Sequence, residues 1–237
     1  MRIIILLSLL LSLPAFAEEP GTEETTLIPF SASYTTTYKL GWFTLNIDGK
    51  RELKQLENND WQVTFDAYTN GASINERSVF SFNKNQLVPI EYHYKTGGLL
   101  NKTPLNIAFD SSKKHIKDNN SNTTYKNIWQ ENLQDNLTYI VQASLDLSQG
   151  KTELHYPIFK SDYVKLYSYA VVGEETINTK IGRLKTIKIE RIGDHKDRTI
   201  SAWFAVDHNY QLVRLNESKN GKTTYQIDIS QLEERLP

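Results

Sequence analysis

Apolar and polar positions alternate with a period of two through much of this chain. The pattern starts at Ile28: Ile28, Phe30, Ala32, Tyr34, Thr36, Tyr38 and Leu40 point one way, with Ser31, Ser33 and Lys39 among those pointing the other. Successive side chains of an extended strand project to opposite faces, so this alternation marks a strand with one buried face. The same reading applies to Trp61, Val63, Phe65 and Ala67, to Val88, Ile90, Tyr92 and Tyr94, and to the shorter run Leu105, Ile107 and Phe109. Further strands are predicted at 151–157, 163–172, 184–192, 199–206, 210–217 and 223–229. Polar breaks such as Glu57-Asn58-Asn59-Asp60 and Asn83-Lys84-Asn85 fall at hairpin intervals, and Asp118-Asn119-Asn120-Ser121-Asn122 reads as one more connection between strands. These are meander connections between antiparallel neighbours rather than crossover helices.

One segment departs from the rhythm. Over 135–149, Leu137, Ile140, Val141, Ser144 and Leu147 recur at helical spacing, with Asp135 or Asn136 placed to cap the start and Gly150 to stop the end. The predicted fold is therefore mainly β: an antiparallel curved sheet, or an open or closed barrel-like roll, with one enclosed helix. Two later strands are apolar on both faces. Tyr163, Lys165, Tyr167, Tyr169 and Val171 oppose Val164, Leu166, Ser168 and Ala170, and Ile200, Ala202, Phe204 and Val206 oppose Trp203 and Ala205. Strands of that kind need cover on both sides, from the helix, a ligand or a partner.

The N-terminus obeys a different logic. One charge at Arg2, an apolar run from Ile3 to Leu13, a breaker at Pro14 and the small-x-small triplet Ala15-Phe16-Ala17 make a secretory signal with cleavage after Ala17. The run is shorter than the roughly 20 residues that a spanning helix needs, and no comparable run follows it. The domain reading is then a signal peptide at 1–17, a disordered acidic leader at 18–27, a single β-rich domain at 28–230 and a frayed charged tail at 231–237. The expected location is the periplasm of a Gram-negative bacterium.

Composition removes several classes of function. Without Arg2 the chain holds 26 basic against 28 acidic groups, net −2, which gives no electrostatic argument for nucleic acid or anionic lipid. Cysteine is absent, so neither a disulfide nor thiol chemistry is available. Among the histidines, the one local pairing with ligand-like geometry is Glu91 with His93, two apart on one strand face; a metal site needs three or four converging donors. His195 lies in the charged run Asp194-His195-Lys196-Asp197-Arg198, which reads as a polar hairpin loop before it reads as a general base. No nucleophile elbow and no phosphate-binding glycine loop is present, so no catalytic residue, metal ligand or cofactor is assigned.

Several local motifs occur together in a fixed order: Pro29-Phe30-Ser31-Ala32-Ser33-Tyr34, Leu87-Val88-Pro89-Ile90-Glu91-Tyr92-His93-Tyr94, the helix opening at Asp135, and Val172-Gly173-Glu174-Glu175 followed by Thr179, Gly182 and Leu184-Lys185-Thr186. They end with Trp203-Phe204-Ala205-Val206-Asp207, Tyr210, Val213-Arg214-Leu215 and Lys219-Asn220-Gly221. In this the chain resembles the bacterial exported family catalogued as domain of unknown function 3108, from Pro29 to about Ile229. It departs from the family pattern at Leu212, where a proline tends to precede the Val-Arg pair. The resemblance implies an exported β-rich protein and supplies no catalytic residue. The plan is similar to that of the open barrels of periplasmic lipoprotein carriers, an analogy of architecture alone.

Thirteen tyrosines, nine phenylalanines and four tryptophans supply the positive clue, since aromatic faces line apolar pockets as well as packing sheets. The expected function is a non-enzymatic periplasmic module that binds an apolar, lipid-like ligand or an envelope protein segment through Tyr163, Tyr167, Tyr169, Trp203 and Phe204. The alternative is an envelope hydrolase or metal-dependent enzyme assembled from scattered groups such as Glu91, His93 and His195.

Overall fold

The computed structural model describes residues 25–40, 43–193 and 197–235, with side chains described for all of these except 37–40 and 43–45. The signal segment, residues 18–24 of the leader, His195 and the last two residues of the tail lie outside them. Among the described residues fourteen strands form one antiparallel sheet, which curves without closing into a barrel. In chain order they are β1 (Phe30–Leu40), β2 (Phe43–Gln55), β3 (Trp61–Thr69), β4 (Ala72–Asn83), β5 (Gln86–Gly98), β6 (Leu105–Asp110), β7 (His115–Asp118) and β8 (Thr123–Tyr125). After helix α1 (Thr138–Ser148) follow β9 (Glu153–Phe159), β10 (Val164–Thr179), β11 (Gly182–Ile192), β12 (Arg198–Ala205), β13 (Gln211–Lys219) and β14 (Lys222–Glu234).

The topology is a meander folded about its own ends. β1 pairs with both β2 and β14; from there β2 to β8 step toward one edge, and β14 back to β9 toward the other. The hairpins follow from turn chemistry. Lys84-Asn85 and Asn220-Gly221 both take positive φ at two successive residues in two-residue loops, which matches the twist of the flanking strands. Asp118 and Thr123 flank the asparagine-rich stretch and join β7 to β8 as expected.

Helix α1 spans the opening between β5 and β9. It is buried almost all round, and its polar residues dock it: the Gln142 side chain accepts from the Leu87 amide at 2.9 Å and donates to the Asn85 carbonyl at 3.0 Å, while Asp146 accepts from the Tyr156 hydroxyl at 2.7 Å. Just before the helix, Gln134 pairs with the outer edge of β9, donating to the Pro157 carbonyl and accepting from the Phe159 amide. Phe159 in turn meets the rings of Phe109 and Tyr125, 5.9 and 5.8 Å between centroids. The edges thus meet through side chains and one helix, with no ladder between β8 and β9.

Four sequence readings are corrected. The helix begins at Thr138, three residues later than the pattern suggests; Asp135 stands ahead of it and its carboxylate accepts from the amides of Leu137 and Thr138 at 2.8 and 3.0 Å. The leader orders before residue 28, since Leu27 is buried and the Thr25 amide donates to Asn85. The tail does not fray at 231: β14 runs to Glu234, opposite Phe30. A bulge in β5 opposite Val79 and Phe80 shifts the face by one residue, so Leu87 and Pro89 are buried before it and Tyr92 after it, and Ile90 does not share the buried face of Tyr92.

Candidate functional site: a cavity around a buried arginine

The inner face of the sheet is built row by row. Tyr34 stands opposite Gly49, Ala32 opposite Arg51 and Phe30 opposite Leu53; on the other side Arg51 faces Phe65, which faces Glu76, which faces Tyr94. This row leaves two adjacent cavities that share Arg51. The larger, of about 210 Å³, lies under the start of α1 and is walled by Phe65, Leu137, Ile140, Leu212, Leu215 and Ile227. The smaller, of about 150 Å³, lies toward Leu27, Phe30, Leu53, Val141, Leu145 and Gln211. Together they reach the lower end of the roughly 300–1,000 Å³ typical of small-molecule sites.

Arg51 is 3% exposed, and its three guanidinium nitrogens make no well-formed hydrogen bond, the Tyr34 phenol oxygen being the polar atom set against them. Its contacts are the Phe30 ring, 5.5 Å from the guanidinium carbon, and the phenol of Tyr34, whose own hydrogen goes to the Leu212 carbonyl at 2.8 Å. Burial pulls the guanidinium below its ordinary pKa, and Tyr34 opposes that shift. A guanidinium carries five N–H donors, and an isolated buried charge is unfavourable by several kcal/mol, roughly, unless it is paired. Glu76 also lines the larger cavity, but its carboxylate is taken by the Tyr92 hydroxyl and burial raises its pKa. No ion pair joins it to Arg51 among the described residues. Gln211 leaves its own Oε1 without a partner against the smaller cavity.

The aromatic residues singled out in the sequence do not gather in one place. Tyr169 and Phe204 line a void of about 30 Å³ beneath Tyr139 and Ile140, room for roughly one water. Tyr139 stacks on Tyr169 at 6.4 Å and meets Tyr167 edge-on at 6.0 Å, and Arg191 covers the Tyr167 ring at 3.8 Å. Tyr163 precedes β10 and is 54% exposed. Trp203 faces the opposite side of the sheet from Phe204, between Lys188 and Arg214, and its indole N–H donates to Glu175. Cover for that outer face comes from the long β10–β11 hairpin, whose Lys180 reaches Thr35 on β1 and whose Asn178 carbonyl accepts from Arg214. An open polar groove of about 750 Å³ runs beside the hairpin tip, lined mainly by threonines and charged groups.

The polar alternative is equally placed. Glu91 lies 3.4 Å from His93 and 3.5 Å from Arg77 on the solvent side. Among the described residues no group of three or more metal-ligand side chains converges. Arg51 was missed because β2 was not read as a strand, although its pattern carries the signal: Asn46, Asp48, Lys50, Glu52 and Lys54 form one wholly polar phase, which puts Arg51 in the other with Ile47 and Leu53.

The family model described as "Protein of unknown function (DUF3108)" matches residues 30–228. The chain belongs to this family. A solved structure titled as a β-barrel-like protein of domain of unknown function DUF1849, from Brucella abortus, is similar to it with a TM-score of 0.60 at 11% identity, over 89% of this chain and 99% of that one. At that identity the likeness concerns the fold, and the fold of this DUF3108 protein is accordingly barrel-like. A DUF1329 family protein from Desulfovibrio piger aligns at 12% identity over 88% of this chain and 86% of that one, with a TM-score of 0.29. No curated protein matches the chain. No described helix is long and apolar enough to cross a membrane.

Proposed function

We propose that this protein is an exported, non-enzymatic binding module that holds an apolar, lipid-like molecule between helix α1 and the inner face of its sheet. The observation that carries this reading is the cavity walled by Phe65, Leu137, Ile140, Leu212, Leu215 and Ile227, enclosed by a helix that closes an otherwise open roll. The barrel-like fold supports it, since such rolls offer an interior as well as a surface. The signal-like N-terminus supports the exported half of the proposal, with the periplasm as the proposed location.

The test is a titration of the detergent-free, delipidated protein with an environment-sensitive apolar dye, followed by competition with decanol. Saturable one-to-one binding that decanol displaces, and that Ile140→Trp abolishes by filling the cavity while the circular dichroism spectrum is unchanged, supports the reading. Dye binding that does not saturate, or that Ile140→Trp leaves intact, overturns it.

A further inference from the structure

The geometry points to an anion site: we propose that Arg51 receives the carboxylate of a single-chain fatty acid, whose tail lies in the cavity under helix α1. This rests on the cavity reading above and names the class of ligand.

Three observations converge on it. Arg51 lies at the junction of the two cavities, with its guanidinium buried, no carboxylate against it and only the Tyr34 phenol as a polar neighbour. Such a group is retained at a net cost unless something supplies acceptors, and a planar carboxylate matches the guanidinium fork with two parallel hydrogen bonds. The surrounding walls are apolar on the side of Leu137, Ile140, Leu212, Leu215 and Ile227, which fits an alkyl chain. Third, among the described residues no anion is committed to this arginine. Glu76 stands two strands away beyond Phe65 and is held by Tyr92. Gln211 can assist, because its amide is unpartnered at the oxygen and a half-turn presents its NH2 to the same space. The volumes suit one chain of moderate length and leave no room for a two-chain phospholipid.

The test compares decanoate, decanol and decyl phosphate on delipidated wild type and on Arg51→Met, by isothermal titration at pH 7. The proposal expects decanoate to bind wild type about tenfold to a hundredfold more tightly than decanol, and the preference to vanish in Arg51→Met with decanol affinity retained. The variant removes an unpaired buried charge in favour of an apolar side chain of similar length, so it is expected to fold and to melt no lower than wild type, which the same samples report. Equal binding of decanoate and decanol to wild type would overturn the anion site and leave the cavity reading intact. Decyl phosphate binding in place of decanoate would overturn the carboxylate assignment. Failure of all three to bind wild type would remove the cavity reading itself.

Discussion

The two sides of helix α1 treat buried polar groups differently. Toward β4, β5 and β9, Asp135 accepts from two backbone amides and from Ser78, Asp146 accepts from Tyr156, Lys151 and Gln142, and Gln142 is used at both ends of its amide. Toward β1 and β2, Arg51 is buried to a similar degree, and its five donors meet only the Phe30 ring and the Tyr34 phenol, with no well-formed hydrogen bond and no carboxylate beside them. Polar groups that hold a fold together are ordinarily satisfied within it. The first set therefore reads as the clasp that docks the helix, and Arg51 as a group whose partner comes from outside the fold.

That contrast can be broken first on the satisfied side. Asp135→Ala leaves two helix amides and the Ser78 hydroxyl without partners, and is expected to lower stability in urea unfolding by about 2–4 kcal/mol; Asp135→Asn, which keeps an acceptor, is expected to lose less than half of that. Gln142→Ala frees the Leu87 amide and the Asn85 carbonyl and is expected to lose about 1–3 kcal/mol. The sign reverses on the other side. Arg51→Met in delipidated protein is expected to be neutral or to gain up to about 2 kcal/mol, measured in the same urea series. A loss comparable to that of Asp135→Ala would mean that Arg51 belongs to the clasp after all.

The smallest effect concerns pH. Burial raises the carboxyl pKa of Glu76 and of Asp135 above the ordinary range. Between its unfolded and its raised folded value such a carboxyl holds its proton more firmly in the folded state, so its stabilising contribution is complete below the unfolded value, about pH 4, and is lost as pH rises through the folded value. Glu76→Gln removes that dependence for one of the two. Unfolding at pH 5 and pH 8 is expected to show the variant gaining on wild type at the higher pH; a gain confined to pH 5 would contradict the assignment.

Much of this architecture was legible because alternation reports a strand only where one face is uniformly apolar. β3 and β6 satisfy that condition, β1 comes close to it, and the six strands after the helix carry apolar runs dense enough to be read between their turn signals. β2 and β4 do not, and neither stands out by alternation: the inward phase of β2 holds Gly49 and Arg51, and that of β4 holds Glu76 and Ser78. The breaks in the pattern therefore coincide with the polar groups carried into the interior, which is where local and global preference are expected to conflict at a binding site. The aromatic candidates were drawn from strength of pattern. Tyr169 and Phe204 do face the helix, but around a void too small for more than a water, and Trp203 faces outward because the β10–β11 hairpin covers a side of the sheet that no local pattern reveals.

Native mass spectrometry of residues 18–237, purified from the bacterial envelope without detergent, tests the central claim most directly. The account predicts a one-to-one adduct that organic extraction releases as a single-chain acid and that Arg51→Met purified in parallel has lost. A clean apo mass for wild type, with no melting shift on adding decanol or decanoate, would contradict it.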